Sequence, residues 1–300
     1  MVGTIRFPHL GITLEHVPRW FSIGGFEIAG YGIVLAAAMM TGLLLVMKIA
    51  DKTGQNGENY FDLGMVTLVI SVLCARIYYV VFSWDYYRQH LTEILNLRQG
   101  GLAIYGGVAG GILTILVFCH IRKMKYREAL DTACIGLVWG QMVGRWGNFF
   151  NREAFGDYTD GLFAMQLPVE DIRLSEITQK MQEHLTEVQG VTYVQVHPTF
   201  LYESLWNLGV FLILLFLTFR VKNRFCGMVA LSYLLLYGAG RFWIEGLRTD
   251  QLLIPGTQYP VSQVISGVLV VLSSAGLIIG KMHKKGTREY ESERTVKKKY

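Results

Sequence analysis

Charge is scarce in this chain. Only 17% of its 300 residues are Asp, Glu, Lys or Arg, against about 25% in an ordinary soluble protein. Cysteine is scarcer still: Cys74, Cys119, Cys134 and Cys226 form no CxxC pair and have no zinc-ligand spacing with the histidines. That pattern excludes a disulfide framework, a zinc site and a catalytic thiol of the chain's own, and leaves four small hydrophobes. No GxGxxG follows a strand and no GxxxxGK[ST] occurs, so nucleotide binding has no support. The first 27 residues do not read as a cleaved leader, because Pro8, His9, Glu15, His16, Pro18 and Arg19 interrupt any apolar core. No soluble repeat and no second domain of normal size are apparent.

What the chain has instead is apolar length. Hydrophobic residues make up 52% and the mean hydropathy is +0.34. A helix needs roughly 20 mostly apolar residues to cross about 30 Å of hydrocarbon. Seven stretches qualify: 27–49, 60–83, 103–123, 128–150, 199–220, 226–247 and 260–282. They are too long for barrel strands and lack two-residue alternation. The expected fold is therefore an all-α integral membrane protein with seven transmembrane helices, forming one membrane domain over 1–283. The net charge of +5 calls for no nucleic acid. It follows topology: 17 basic residues fall on one set of connections, the tail included, and 8 on the other. The positive-inside rule then puts the N-terminus outside and the C-terminus in the cytoplasm.

One polar insertion is long. Residues 151–198 read as a small extracytoplasmic arm or cap, with turns at Gly156, Asp157 and Asp160, an amphipathic helix over 169–189 and a strand at Tyr193–Val196. Residues 284–300 read as a charged, disordered cytoplasmic tail. Glycines at GxxxG spacing (Gly106/Gly110, Gly107/Gly111, Gly136/Gly140, Gly140/Gly144) predict close packing of the third and fourth spans, or room for lipid chains.

Charge at membrane depth is costly and points to function. In GQMVGRWGNFFNREAFG (140–156), Gln141, Arg145, Asn148 and Arg152 share a helix face, and Glu153 follows at the exit. In YGAGRFWIEGLRTD (237–250), Arg241, Glu245 and Arg248 share another, with Arg241 and Glu245 placed to pair. Both helix ends lie on the outer side by topology. So does HPTFLYESLWN (197–207), where Glu203 and Asn207 sit one turn apart to anchor one of the arginines. Arg76 completes the set as a structural pairing residue. Guanidiniums at headgroup level suit a phosphate, which they bind bidentately without losing charge. The residues alone thus give a phospholipid headgroup site and no reaction.

GRWGNFFNREAFG (144–156) resembles the signature G-R-x-G-N-F-x-N-x-E-x-x-G of the prolipoprotein diacylglyceryl transferases, with every fixed position filled. QGGLAIYGGVAGG (99–111), RIYYVVFSWDYY (76–87), HPTFLYESLWN and GRFWIEGLRTD (240–250) are similar to other segments of that family. The resemblance implies a bacterial inner-membrane enzyme that moves diacylglyceryl from phosphatidylglycerol to the lipobox cysteine of a prolipoprotein signal peptide, releasing glycerol phosphate, with no cofactor. It implies Arg145, Asn148, Gly156 and Tyr31 as phosphatidylglycerol-binding residues and Arg241 as the second active-site arginine. Some members carry a histidine where this chain has Tyr105, which counts against an obligatory histidine base there.

The chemistry requires a thiolate to attack an sp3 carbon, and a free thiol, with a pKa of about 8.5, needs help at neutral pH. Arg145 is assigned to the phosphate and Arg241 to developing charge or the thiolate. Tyr105 hydrogen-bonds the headgroup or relays the proton, with His197 as another candidate base. Glu153, Glu203, Glu245 and Arg248 support them. The alternative is a phospholipid transporter or flippase whose arginine cluster binds phosphate on the outer side. It predicts polar groups spread from face to face and inverted repeats.

Overall fold

The computed structural model describes residues 3–97 and 100–297, with side chains except at 23 and 284–297. Nine helices occur among the described residues. They are α1 (Gly30–Lys52), α2 (Gly57–Phe82), the short α3 (Trp84–Tyr87), α4 (Ile104–Ile121) and α5 (Tyr126–Asn151). The short α6 (Gln179–Gln182), α7 (Thr199–Arg220), α8 (Met228–Glu245) and α9 (Val261–Lys297) complete the set. Strands are β1 (Ile5–Phe7), β2 (Ile12–Leu14), β3 (Trp20–Ile23), β4 (Phe26–Ala29), β5 (Met165–Pro168), β6 (Thr186–Val188) and β7 (Val191–Val196).

The chain is a multi-pass helical membrane protein that also carries a sheet. Among the described residues five helices are long and apolar enough to cross a bilayer: Gly30–Lys52, Gly57–Phe82, Ile104–Ile121, Thr199–Arg220 and Val261–His283. The other two expected stretches, 128–150 and 226–247, do form helices, α5 and α8. They fall short in apolar character because they carry the polar groups singled out above, Gln141 and Arg145 on one, Arg241 and Glu245 on the other. The tail expected to be disordered from 284 onward is instead helical main chain as far as Lys297, continuing α9, and 298–300 lie outside the described residues.

The chain divides into two compact units, Met1–Gly42 with Leu137–Tyr300, and Leu43–Gly136. In the second unit, α2 and α4 pack closely. A Cβ on Gly106 would meet the Cys74 carbonyl at 2.5 Å, and one on Gly110 the Cys74 Cβ at 2.7 Å, so these two glycines permit the approach that their spacing predicts. Asn56 starts α2, its Oδ1 accepting from Glu58 N at 2.8 Å. Val46, Ala50, Tyr60, Leu63, Cys119 and Ala129 form the core. Arg76 is buried and finds no carboxylate among the described residues. Its guanidinium donates to the carbonyls of Glu93, Ile94, Asn96, Gly100 and Gly101 at 2.7–3.1 Å. The pairing role expected for it is thus filled by main chain, and it clamps the connection into α4.

The first unit holds a five-stranded antiparallel sheet in the order β2-β1-β5-β7-β6. Its apolar side (Ile5, Phe7, Met165, Leu167, Val194, Val196) buries against Phe149 at the end of α5 and Phe200 at the start of α7. The sheet is therefore seated on the helix ends that carry Arg145 and Glu203. Tyr193–Val196 is strand, as expected. The amphipathic helix expected over 169–189 does not form. That segment holds two 3-10 turns, the four-residue α6 and β6. Its apolar residues Val169, Ile172 and Ile177 pack separately onto the sheet core. Thr178 opens a new cap by accepting from Met181 N at 3.2 Å. Gln189 and Gly190, with φ of 53° and 76°, make the two-residue turn that commits the rest to a hairpin. The strands within residues 5–29 were not legible: each is three or four residues long, and β1 finds β5 only through the fold.

Candidate active site

Three helices of the first unit meet at one buried carboxylate. Glu203, in the first turns of α7, is 4% exposed. Its Oε2 lies 2.6 Å from Arg145 Nε on α5, and its Oε1 accepts from Arg241 Nη1 on α8 at 2.7 Å. The second Arg241 terminal nitrogen pairs with Glu245, one turn along α8. The expected Arg241–Glu245 pair thus forms, and Glu203 anchors both arginines where one was expected. Two guanidiniums and two carboxylates leave this cluster formally neutral.

The two arginines are not equivalent. Arg241 commits both terminal nitrogens to carboxylates. Arg145 meets Glu203 through Nε, and its Nη1 and Nη2 make no hydrogen bond to protein among the described residues. Its side chain is 20% exposed. A guanidinium fixed at one edge with the other free presents a preorganised bidentate fork.

Neighbouring contacts hold this geometry. Ser204 donates to the Met142 carbonyl at 3.0 Å and accepts from Trp146 Nε1 at 3.2 Å, which locks α7 to α5. Gln141 donates to the Tyr233 hydroxyl at 2.9 Å, joining α5 to α8 one turn before Arg145 and two turns before Arg241. A Cβ on Gly240 would strike the Trp206 indole, so the missing side chain lets α7 and α8 close around Arg241. Ser204, Tyr233 and Trp206 were not singled out in the sequence. The polar run Glu203, Ser204, Asn207 within an apolar helix was the available signal.

The other signature residues divide by role. Asn148 donates to Glu153 Oε1 at 2.9 Å and Asn151 adds a longer bond at 3.3 Å. Gly147 is the residue whose bareness admits the Tyr31 ring, 2.7 Å from where a Cβ would stand. Tyr31, on α1, thus packs against α5 within one turn of Arg145. Gly140 and Gly144 have nothing within 4 Å among the described residues, so the close packing expected of the fourth span is absent there. Gly156, expected in a turn, instead bridges Arg248, and a Cβ would meet the Leu247 carbonyl at 2.7 Å. Arg152 leaves the shared face: at φ 53° it ends α5 and donates to the carbonyls of Phe150, Gly3 and Val17 beside Asp171.

Arg248 pairs with Asp250 through two nitrogens, at 2.8 and 2.6 Å, and not with Glu245. Burial would raise the Asp250 carboxyl, but the Arg248 fork holds it below the ordinary carboxylate range. His197 joins the sheet to α7: its carbonyl accepts from Gly156 N, its amide donates to Asp157 O, and its Nδ1 lies 3.3 Å from the Tyr202 hydroxyl. Burial, then the Lys180 charge, pushes its imidazole below the usual range, with Asp157 opposing. Tyr105 sits exposed in the first turn of α4, in the second unit.

A model of the prolipoprotein diacylglyceryl transferase family matches residues 18–279. The chain belongs to that family. A protein of Clostridioides difficile named phosphatidylglycerol–prolipoprotein diacylglyceryl transferase is 38% identical over 84% of this chain and 90% of its own length. Relatives of the same name from Thermosynechococcus vestitus (36% identical, over 92% of this chain and 94% of theirs) and Geobacillus kaustophilus (38%, over 94% and 99%) span nearly the whole sequence. The family's signature residues 144–156 lie inside the matched range and contribute Arg145 to the cluster on Glu203.

Proposed function

We propose that this chain transfers the diacylglyceryl group of phosphatidylglycerol to the lipobox cysteine thiol of a prolipoprotein, releasing glycerol phosphate. Family membership and the substrates in its relatives' names support the reaction class. The observation that carries the site is the Arg145 fork, held on Glu203 with both terminal nitrogens uncommitted. Arg145 takes the phosphodiester of the lipid. The thiolate sulfur attacks the glycerol carbon that bears the phosphate, the C–O bond breaks, and the electron pair stays on the departing phosphate. That phosphate passes from one negative charge toward two, and the fixed Arg145 donors stabilise the increase as it develops. Arg241, buried between two carboxylates, holds Glu203 in place and lends its charge to the same region. Tyr105 is proposed to hydrogen-bond the headgroup or pass on the thiol proton. Asn148, Gly156 and Tyr31 shape the lipid site beside Arg145.

In this reading α5 and α8 also cross the bilayer, which gives seven spans. Their polar groups are tolerated because they face one another rather than lipid. The distribution of basic residues supports an outer N-terminus, a cytoplasmic C-terminus and a sheet that caps the outer side of a bacterial inner membrane. The test is purified Arg145→Ala in nanodiscs with labelled phosphatidylglycerol and a lipobox peptide. No diacylglyceryl adduct should appear by mass from variant protein that still unfolds cooperatively, even if at a lowered midpoint. Near-normal adduct from the folded variant removes Arg145 from the chemistry. Lipid movement without adduct from the unaltered chain overturns the transferase reading.

A further inference from the structure

The β3–β4 hairpin stands apart from the five-stranded sheet. Trp20 pairs with Ala29, Phe21 with Ile28 and Ser22 with Glu27. Directly opposed residues project to the same side of a ladder, and successive pairs alternate. Phe21 and Ile28 therefore share one side with Phe26, which lies two positions from Ile28 on β4. Ser22 and Glu27 point the opposite way. Phe26 is 77% exposed and Ile28 40%, while Phe21 is partly covered by Phe150. Trp20, at the hairpin's base, is 59% exposed.

A lone two-stranded hairpin is at best marginal in water. One that exposes an aromatic and a branched side chain together needs a partner. Its position in the chain supplies one. β4 ends at Ala29, and Gly30 is the first residue of α1, a helix apolar enough to cross the bilayer. Gly30 N donates to the Arg19 carbonyl at 2.8 Å, which closes the hairpin onto the helix start. The bare Gly30 also lets the Phe21 and Phe150 rings pack at its Cα, 3.2 and 3.3 Å from where a Cβ would stand. Four extended residues reach at most about 13 Å, so Phe26 stays within the headgroup layer or at its edge. Phe150 lies near the end of α5, little more than one turn past Arg145, which puts the hairpin at the same membrane face as the arginine cluster.

We infer that this hairpin lies in the lipid headgroup layer, with Phe26 and Ile28 toward the acyl chains and Ser22 and Glu27 toward water. By the same alternation Trp20 shares the side of Ser22 and Glu27, and at the hairpin's base its ring lies at the headgroup boundary, where aromatic rings of mixed polarity are favoured. The bilayer surface is the occupant because the apolar side is continuous with the lipid-facing start of α1. The inference concerns docking to lipid and does not depend on the transfer reaction.

Full-length protein in phosphatidylglycerol-containing nanodiscs tests it. Cys226→Ser and Cys74→Ala remove the accessible native thiols, and Phe26→Cys or Ser22→Cys carries an environment-sensitive fluorophore. The probe at 26 should emit to the blue and be quenched by a nitroxide on the lipid headgroup, while the probe at 22 is quenched by aqueous iodide. Ile28→Cys, also exposed, should repeat the result at 26. Equal iodide quenching at 22 and 26 overturns the inference. So does shielding of 26 from iodide without quenching by the nitroxide lipid, which would mean that protein, such as a second copy, covers it.

Discussion

Replacing Glu203 by Gln keeps the shape of the side chain and removes the one charge that two guanidiniums share. Each contact is close, 2.6 Å to Arg145 and 2.7 Å to Arg241. At an effective dielectric of about 20, Coulomb's law gives roughly 6 kcal/mol of attraction per pair at this separation. Desolvation of the buried ions offsets much of that. The measured cost of orphaning one partner of a buried pair, about 3–5 kcal/mol, is the better guide to the loss of stability. The amide also changes the hydrogen bonding. Its oxygen can still accept from one arginine, but its NH2 then faces the other, donor against donor. If Arg145 is the one released, the fork loses its fixed direction, and removal of one preorganised donor costs about 10²–10³ in kcat. The assay is adduct formation by mass in nanodiscs, beside thermal unfolding followed by tryptophan fluorescence. Glu203→Asp keeps the charge but shortens the reach, so it should retain more stability than activity. A Gln variant with unaltered kcat/KM and unaltered midpoint would refute the idea that a shared carboxylate organises the site.

Other substitutions separate structural from chemical roles. Arg76→Met leaves five carbonyls without their donor; limited proteolysis should cut between 88 and 101 while the rest of the chain stays intact. Gly147→Ala drives a methyl into the Tyr31 ring and should cost about 1–3 kcal/mol in unfolding. Gly140→Ala meets nothing and should be neutral or gain up to about 1 kcal/mol from helix propensity. His197 titrates low when folded, so between its folded and unfolded pKa the unfolded chain binds the extra proton. Stability should hold above the ordinary histidine value of about 6.5 and decline as the pH falls through it. His197→Gln should flatten that part of the midpoint profile, measured from about pH 8 to about pH 5.

The long helices and the arginine site were legible because lipid imposes simple rules. Apolar runs of bilayer length stood out, and so did the arginines within them. Arg145, Arg241 and Glu203 were visible as polar points at helical spacing on apolar helices, although only coordinates show Glu203 dividing its two oxygens between two helices. Less legible was everything outside the apolar runs. Residues 169–189 have helical periodicity, but tertiary packing overrides it: Val169, Ile172 and Ile177 each find the sheet core separately. β1 and β2 carry too few residues for alternation to register. Arg152 was misread for a different reason. Its spacing continues the Arg145 face, but the helix ends before it, and the left-handed turn sends its side chain into main-chain carbonyls.

The pairing of Arg6 with Gln166 joins the first strand made to one made after five helices have been laid down. At about 5–20 residues per second, roughly ten seconds or more of synthesis separates them. For that interval the β1–β2 hairpin has an open edge, and Ile5 and Phe7 have none of the neighbours that later cover them. The sheet is therefore completed from its oldest part, and its closure waits on the synthesis of the five helices that separate β1 from β5. Biogenesis, more than equilibrium stability, is where a lesion at Ile5 or Phe7 would first be felt.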